Sequence, residues 1–102
     1  MRKISSDAYD AFVNRKRFSC SNTKVVVEDG EAKMYLFDNL IAKTEDGATF
    51  ISGGGHIPSN TTRDRLNAFP QVWLSIKKGK WIIEQKIFWD GNWANVDLFT
   101  EV

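Results

Sequence analysis

The sequence is poor in the residues that most often hold metals or form cross-links. It contains one cysteine, Cys20, and one histidine, His56, among 102 residues. A single cysteine excludes a disulfide within the chain and a cysteine-rich metal site. No carboxylates stand at a spacing that would complete a metal site around His56. We therefore expect no metal and no cofactor, and a reducing, intracellular setting.

Long apolar runs and an excess of charge are also missing. Met-Arg-Lys opens the chain, but Ser5, Ser6 and Asp7 follow soon after, so we expect no signal peptide and no membrane span. The 14 basic and 13 acidic side chains give a net charge of +1, which provides no strong attraction to nucleic acid or membranes. With 42% apolar and 26% charged residues, the composition is that of one globular domain over residues 1–102.

Two segments have the apolar spacing and the capping residues of helices. The first covers residues 6–17, and Ser6 is its expected N-cap. Its apolar stripe consists of Ile4, Ala8, Tyr9, Phe12 and Val13. The second is a short helix over roughly residues 62–69, where Thr61 followed by Asp64 resembles a capping box.

Turn signals divide the rest of the chain into short strands. Tight turns are expected at Asp29-Gly30, Asp38-Asn39, Glu45-Asp46-Gly47, Lys78-Gly79 and Asp90-Gly91. Strands are expected at residues 23–28, 33–37, 40–43, 49–52, 71–77, 81–88 and 93–99. Connections this short allow only antiparallel pairing. We predict an α+β fold with a single twisted antiparallel sheet of about six or seven strands and with the N-terminal helix and a second short helix packed on one face.

The Lys78-Gly79 turn also predicts a strand register. If these two residues alone form the turn, Ile76 lies opposite Trp81 and Leu74 lies opposite Ile83. These four side chains then share one face, which we expect to be the core side of the hairpin.

The most permissive backbone in the chain is the run of three glycines before His56. Glycine allows positive φ and close approach of a ligand to backbone amides. Ser59–Thr62 and Arg63 follow, and small polar side chains with a positive charge at a helix start can hold an anion. A flexible turn or lid is the favoured interpretation of the glycine run, and ordinary helix capping explains the hydroxyls of the second segment equally well. The candidate ligand- or partner-binding residues are Gly53, Gly54, Gly55, His56, Asn60, Thr61, Thr62, Arg63, Trp89 and Trp93.

Four tryptophans are more than a core of this size needs. Trp81 falls in the core register, Trp73 falls on the opposite face, and Trp89 and Trp93 flank a turn. Exposed tryptophans beside lysines can stack on bases or anchor a protein partner, although Trp89 and Trp93 can equally staple the last turn against the sheet. The basic triplet at the end of the first helix can contact phosphate or an acidic partner, or it can simply complement the helix end. A nucleic-acid interface would use Arg15, Lys16, Arg17, Trp73, Lys77, Lys78 and Lys80.

The motifs of common catalytic sites are absent from the sequence. It has no Gly-x-Ser-x-Gly elbow and no phosphate-binding loop that ends in Lys-Ser or Lys-Thr. His56 is the only obvious general base, and no motif places a nucleophile beside it. We therefore expect that the protein is not an enzyme and has no catalytic residues.

Three segments together carry a resemblance to known proteins. They are Ser59–Ala68, with Asn-Thr-Thr followed by Arg-Leu-Asn, Trp89–Trp93, with Trp-Asp-Gly, and Leu36–Ala42. On these segments the chain resembles a group of small proteins of tailed bacteriophages that has no assigned activity. That group has no established catalytic residues to carry over to this chain, and the resemblance implies a protein of the host cell cytoplasm during infection.

Taken together, these features favour a small phage accessory protein that acts by binding a host protein or a small anionic ligand. Two alternatives stay open. One is a nucleic-acid-binding protein that uses lysines, arginines and exposed tryptophans, and the other is a virion or assembly component. Self-association is compatible with each of them, and no membrane partner is expected.

Overall fold

The fold consists of two antiparallel sheets, two α-helices and a 3-10 helix near the C-terminus. The computed structural model describes residues 2–55, 57–84 and 87–100, with the backbone alone for Leu98 and Thr100. In chain order, the elements are α1 (Lys3–Val13), β1 (Phe18–Cys20), β2 (Thr23–Glu28), β3 (Glu31–Leu36), β4 (Asn39–Glu45), β5 (Ala48–Ile51), α2 (Asn60–Leu66), β6 (Leu74–Lys77), β7 (Lys80–Ile83), β8 (Ile87–Trp89), β9 (Ala94–Asn95) and the 3-10 helix (Val96–Thr100). Among the described residues, no helix has the length and apolarity needed to cross a membrane.

The first helix begins and ends earlier than its sequence pattern predicts. α1 starts at Lys3, and its N-cap makes no side-chain capping hydrogen bond, so the expected cap at Ser6 is wrong. The helix ends at Val13, because Arg15 has a φ of 56°, which lies outside the helical region. The Arg15 guanidinium then donates to the Phe12 carbonyl oxygen at 3.3 Å, so it complements the helix end as expected.

Six strands form the large sheet, in the order β1-β2-β3-β4-β5-β9, and all of its strand pairs are antiparallel. Two-residue turns join β2 to β3, β3 to β4 and β4 to β5. The sequence did not predict β1, because three residues are too few to show a period. β9 retains two residues of the strand predicted over residues 93–99, and the chain then enters the 3-10 helix. The predicted α+β class, with an antiparallel sheet and two helices, is confirmed.

A separate small sheet, in the order β6-β7-β8, forms from the segment that was expected to extend the first sheet. The predicted pairing of Ile76 with Trp81 is confirmed, and so is the two-residue turn between these strands. The strand predicted over residues 81–88 is instead two strands, because the chain reverses after Ile83, where Glu84 has a φ of 51°. The strands that were expected to form one sheet are therefore divided between two sheets.

The core lies between the helices and the two sheets. α1 packs against β1, β2 and β3, whereas α2 packs against α1, β4 and β6, so α2 connects the large sheet to the small one. The Phe69 ring meets the rings of Tyr9 and Phe12 edge-on, with centroids 4.9 Å and 5.3 Å apart. Trp89 meets Phe99 in the same way at 5.4 Å. Edge-to-face contacts of this kind add to the stabilisation from apolar burial.

One charged side chain, Arg65, is only 2% exposed within this core. Its Nε donates to Thr23 Oγ1 at 2.8 Å, and its terminal nitrogens donate to Ser5 Oγ at 2.9 Å and Asn22 Oδ1 at 3.2 Å. Asp64 Oδ2 lies 3.3 Å from Arg65 Nη1 and also accepts a hydrogen bond from the Ser5 hydroxyl. A single guanidinium therefore ties α2 to the start of α1 and to the turn between β1 and β2.

We expect Arg65→Ala to lower the free energy of unfolding by about 3–5 kcal/mol, because it removes the buried charge that pairs with Asp64 and a hydrogen-bond partner of the buried Thr23 and Ser5 side chains and of Asn22. This is a large part of the roughly 5–15 kcal/mol that stabilises a typical domain. Urea denaturation followed by circular dichroism measures the loss. Arg63→Ala, a half-buried position on the same helix, is the control and should cost less than about 1 kcal/mol. Equal losses in the two variants would contradict the role given to Arg65.

The pKa of Asp64 lies below its ordinary value of 3.8. Burial acts to raise this pKa, but hydrogen bonds from Ser5 and from the Arg2 backbone, together with the charge of Arg65, outweigh burial and lower it. Because the pKa is lowered in the folded state, the carboxylate stabilises the fold above about pH 4. That contribution is lost as the pH falls through the folded-state pKa.

The stability deficit of Asp64→Asn relative to the wild type should therefore be largest near neutral pH and should shrink below about pH 4. Urea unfolding at several pH values between 7 and 3 would measure this difference. Asp10→Asn, an exposed position on α1, is the matched control and should show no such trend. A deficit for Asp64→Asn that stays constant across this range would contradict the assignment.

Candidate functional site

Backbone hydrogen bonds hold the three-glycine segment in place. Gly53 N donates to the Gly91 carbonyl oxygen at 2.8 Å, and Gly54 N donates to Ser52 Oγ at 3.1 Å. The segment is thus hydrogen-bonded to the turn that follows β8, whereas its composition also allowed a flexible turn without such contacts. His56, which the sequence placed in the candidate site, lies outside the residues that the structure describes.

The close approach of Trp81 explains the glycine at position 53. A Cβ added to Gly53 would lie 2.9 Å from Trp81 Nε1 and 3.6 Å from Gly91 Cα. The Trp81 side chain is buried in the centre of the small sheet and has no room to withdraw. A Cβ on Gly91 would also lie 3.4 Å from the indole ring of Trp81. The two glycines therefore allow the large sheet to approach the small one.

A cleft of about 420 Å³ opens where the glycine segment faces the turn after β8, and we call it the polar cleft. It is lined by Ser52, Gly53, Gly55, Asp90, Gly91, Asn92 and Trp93. The Asp90 carboxylate accepts hydrogen bonds from the backbone and side-chain nitrogens of Asn92, both at 2.9 Å. Within the described part of the chain, no group of three or more His, Cys, Asp and Glu side chains is arranged to hold a metal ion.

The two tryptophans beside this turn have different environments. Trp93 is 42% exposed at the mouth of the polar cleft, and the Lys43 Nζ lies 4.6 Å from its ring centroid. Trp89 is 8% exposed and packs against Trp81 and Phe99, with ring centroids 5.8 Å and 5.4 Å away. Trp93 can therefore contact a partner, whereas Trp89 staples the turn to the core, as the alternative interpretation proposed.

A second cleft, of about 350 Å³, lies on the other side of the glycine segment, and we call it the apolar cleft. It is lined by Leu36, Phe37, Asn39, Ile41, Gly53, Gly54 and Thr62. Gly53 lines both clefts, and each cleft has one exposed aromatic side chain, Phe37 in the apolar cleft and Trp93 in the polar cleft. The structure thus brings together Gly53, Gly54, Gly55, Thr62 and Trp93 from the predicted set.

Phe37 is the residue of this site that the sequence analysis missed. It is 64% exposed, and it forms the turn between β3 and β4 together with Asp38, so the turn predicted at Asp38-Asn39 is one residue too late. Phe37 and Asp38 have φ angles of 50° and 65°. Three other two-residue turns, Asp29-Gly30, Asp46-Gly47 and Lys78-Gly79, carry glycine at their second position, and Ser21-Asn22 carries asparagine there. A large aromatic residue in this left-handed conformation is unusual and strained.

The residues at the start of α2 mostly serve the helix itself. Ser59 is the N-cap, and its Oγ accepts from Thr62 N at 3.1 Å and lies 2.9 Å from Thr62 Oγ1. The capping box expected from Thr61 and Asp64 is therefore wrong, because Asp64 instead pairs with groups on α1. Asn60 is exposed, and Thr61 and Arg63 are half-buried. Of the hydroxyls expected to bind an anion, those of Ser59 and Thr62 thus already take part in capping.

The residues of the nucleic-acid alternative fall in two regions. Trp73, Lys77, Lys78 and Lys80 are exposed on the small sheet or its turn. Arg15, Lys16 and Arg17 are exposed between α1 and β1, at the side of the large sheet. The Arg15 Nε also donates to the Gly30 carbonyl oxygen at 3.1 Å, so this side chain has a local structural role.

The comparison with protein families identifies the origin of the chain. The sequence model of a family described as Kyanoviridae Gp96 protein matches residues 1–100. The chain belongs to this family, which is a family of phage proteins, and this supports the expected origin in a tailed phage. No curated protein and no solved structure matches the chain.

The packing around Trp81 predicts different costs for two glycine substitutions. We expect Gly53→Ala to lower the free energy of unfolding by about 1–3 kcal/mol, because the new Cβ overlaps the buried indole. Gly55→Ala meets open space but keeps a φ of 77°, so it should cost about 1–2 kcal/mol without disturbing Trp81. Nuclear magnetic resonance of the indole N–H groups distinguishes the two effects. A shifted Trp81 signal is expected for Gly53→Ala alone, and an unchanged signal would contradict the contact.

Proposed function

We propose that the protein acts in the cytoplasm of the infected cell by binding a host protein, without catalysis. The contact region, which we call the docking surface, consists of Phe37, Gly53, Gly54 and Trp93. One observation carries this proposal, namely that two clefts share a glycine and each presents an exposed aromatic side chain. Exposed aromatic residues beside clefts are typical of the few positions that contribute most of the binding energy in protein interfaces.

The charge of the polar cleft favours a protein over a small anionic ligand. Asp90 lines this cleft, and a carboxylate repels an anion at short range. The Lys43 Nζ lies over the Trp93 ring and is also 3.7 Å from Glu45 Oε2. This carboxylate offsets part of the lysine charge. The apolar cleft offers Leu36 and Ile41, which suit an apolar side chain of a partner.

The conformation of Phe37 adds a second argument for a docking role. An exposed phenylalanine contributes little to the core, and its left-handed φ costs about 1–2 kcal/mol. Asparagine or aspartate would form the same turn with less strain. Strained residues of this kind are concentrated at functional sites, where a gain on binding outweighs the cost in stability.

The polar groups of the site are placed for recognition more than for chemistry. Both oxygens of Asp90 accept hydrogen bonds from Asn92, and the Ser52 hydroxyl donates to the Leu40 carbonyl oxygen at 3.3 Å. These hydrogen bonds fix the shape of the cleft wall, as expected for a preformed binding surface.

Phe37→Asn combined with Asp38→Gly should change stability and binding in opposite directions. The pair forms a favourable turn, so we expect the free energy of unfolding to rise by about 1–2 kcal/mol. The same variant removes an aromatic anchor, so host proteins enriched on the immobilised wild type should be largely lost. Urea denaturation and quantitative mass spectrometry of proteins captured from bacterial lysate give the two measurements.

Matched variants make this experiment specific. Trp93→Ala should lose the same captured proteins, whereas Trp73→Ala, which changes a more exposed tryptophan beside the small sheet, should keep them. Asp46→Asn, in the neighbouring turn, should change stability by less than about 0.5 kcal/mol. Capture that survives both Phe37 and Trp93 substitutions would contradict the docking surface. A small molecule that copurifies with the wild type but not with Trp93→Ala would instead identify a small-ligand site.

A further inference from the structure

The small sheet presents a face to solvent that the docking surface does not use. Side chains alternate across each strand, so the residues between the core positions point away from the core. We call this set the outer face, and it consists of Trp73, Ser75, Lys77, Lys80, Ile82 and Phe88.

The outer face is unusually aromatic for an exposed surface. Trp73 and Phe88 are 62% and 59% exposed. Ile82, on the central strand β7, is half-buried. The register places Ser75, Ile82 and Phe88 in one row across the three strands. Trp73 stands just before β6, where its carbonyl oxygen accepts from Glu84 N at 2.8 Å. Contiguous exposed apolar side chains on a small domain usually mark a contact site.

Positive charge lies beside these rings. Lys77 and Lys80 are direct partners across the hairpin, and Lys78 lies in the turn between them. Like charges in opposite positions destabilise a strand pair, and a bound anion removes this repulsion. In the part of the chain that the structure describes, no carboxylate lies within ion-pair distance of the three lysines. The Lys80 Nζ lies 5.8 Å from the Phe88 ring centroid, so charge and ring are close enough to act on one ligand.

A polar group on the same face also lacks a partner. The Ser75 Oγ is shielded from solvent and makes no hydrogen bond in the described structure. A shielded hydroxyl without a partner is unfavourable. Ser75 lies two residues from both Trp73 and Lys77, at the centre of the face, and because its hydroxyl is shielded it is not among the groups that contact a ligand.

We propose that the outer face binds single-stranded nucleic acid. Bases stack on Trp73 and Phe88, while phosphates contact Lys77, Lys78 and Lys80. Single strands fit this arrangement better than a duplex, because their unpaired bases expose the faces that stack on aromatic rings. An acidic peptide would use the lysines but would leave the two flat rings without a matching surface. The proposal is independent of the docking surface, which uses different aromatic residues.

The test is fluorescence anisotropy of a labelled single-stranded oligonucleotide of about 12 thymidines, a length within the usual site size of such surfaces. Three phosphate contacts predict that affinity falls about 20-fold between 50 mM and 200 mM salt. Trp73→Ala and Phe88→Ala should each weaken binding by roughly 5- to 150-fold. Trp73→Tyr should retain most of the affinity, because tyrosine still stacks. The two substituted side chains are exposed, and circular dichroism confirms that each variant is folded.

Two further variants test whether the oligonucleotide binds at the outer face and at no other part of the protein. Lys77→Gln combined with Lys80→Gln should leave one phosphate contact and reduce the salt dependence to about threefold over the same range. Trp93→Ala should bind the oligonucleotide as the wild type does. An affinity independent of salt, no binding at 50 mM salt, or an equal loss in Trp93→Ala would overturn the proposal. Competition by polyglutamate as effective as by unlabelled oligonucleotide would also overturn it and would indicate an acidic protein partner.

Discussion

The arrangement of the fold depends on the buried guanidinium of Arg65, since a charge at this depth is stable only when its hydrogen bonds are complete. Its nitrogens donate hydrogen bonds to Ser5 on α1, to Asn22 in the turn between β1 and β2, and to Thr23 on β2. α2 has seven residues, too few for a stable helix in isolation, so these contacts set its position. Because Thr62 on α2 lines the apolar cleft, the same network also sets one wall of the docking surface.

The second constraint is the contact between the two sheets at Trp81. The missing side chains of Gly53 and Gly91 allow the segment after β5 and the turn after β8 to meet over this indole. The polar cleft is the surface result of that meeting. Its walls are fixed by backbone hydrogen bonds before any partner arrives, and a preformed surface loses less conformational freedom on binding. The glycines thus act through packing and not as a mobile lid.

Turn chemistry explains which parts of the structure the sequence could predict. Asp29-Gly30 and Lys78-Gly79 each indicate a tight turn, so both hairpins followed from the sequence, and so did the register of the second. Phe37 does not fit that chemistry. The turn that contains it was therefore predicted one residue too late, and Phe37 was not identified as a residue of the site. Trp89 and Trp93 are residues of the same type on either side of one turn. Only packing against other parts of the chain decides which of the two side chains is buried. The glycine segment and Trp93 could be predicted as neighbours of a site, but the two clefts could not.

The ends of the large sheet have a consequence for the behaviour of the protein in concentrated solution. Its outermost strands, β1 and β9, contain three and two residues, whereas the inner strands β2, β3 and β4 contain six or seven. Long exposed edges present rows of unpaired backbone groups on which further strands can add. Here β1 pairs with residues 23–25 of β2, and β9 pairs with Phe50 and Ile51 of β5, so each outer edge of the sheet is short and interrupted. The sheet therefore resists growth into fibrils, and its colloidal behaviour is governed by side chains and not by backbone pairing.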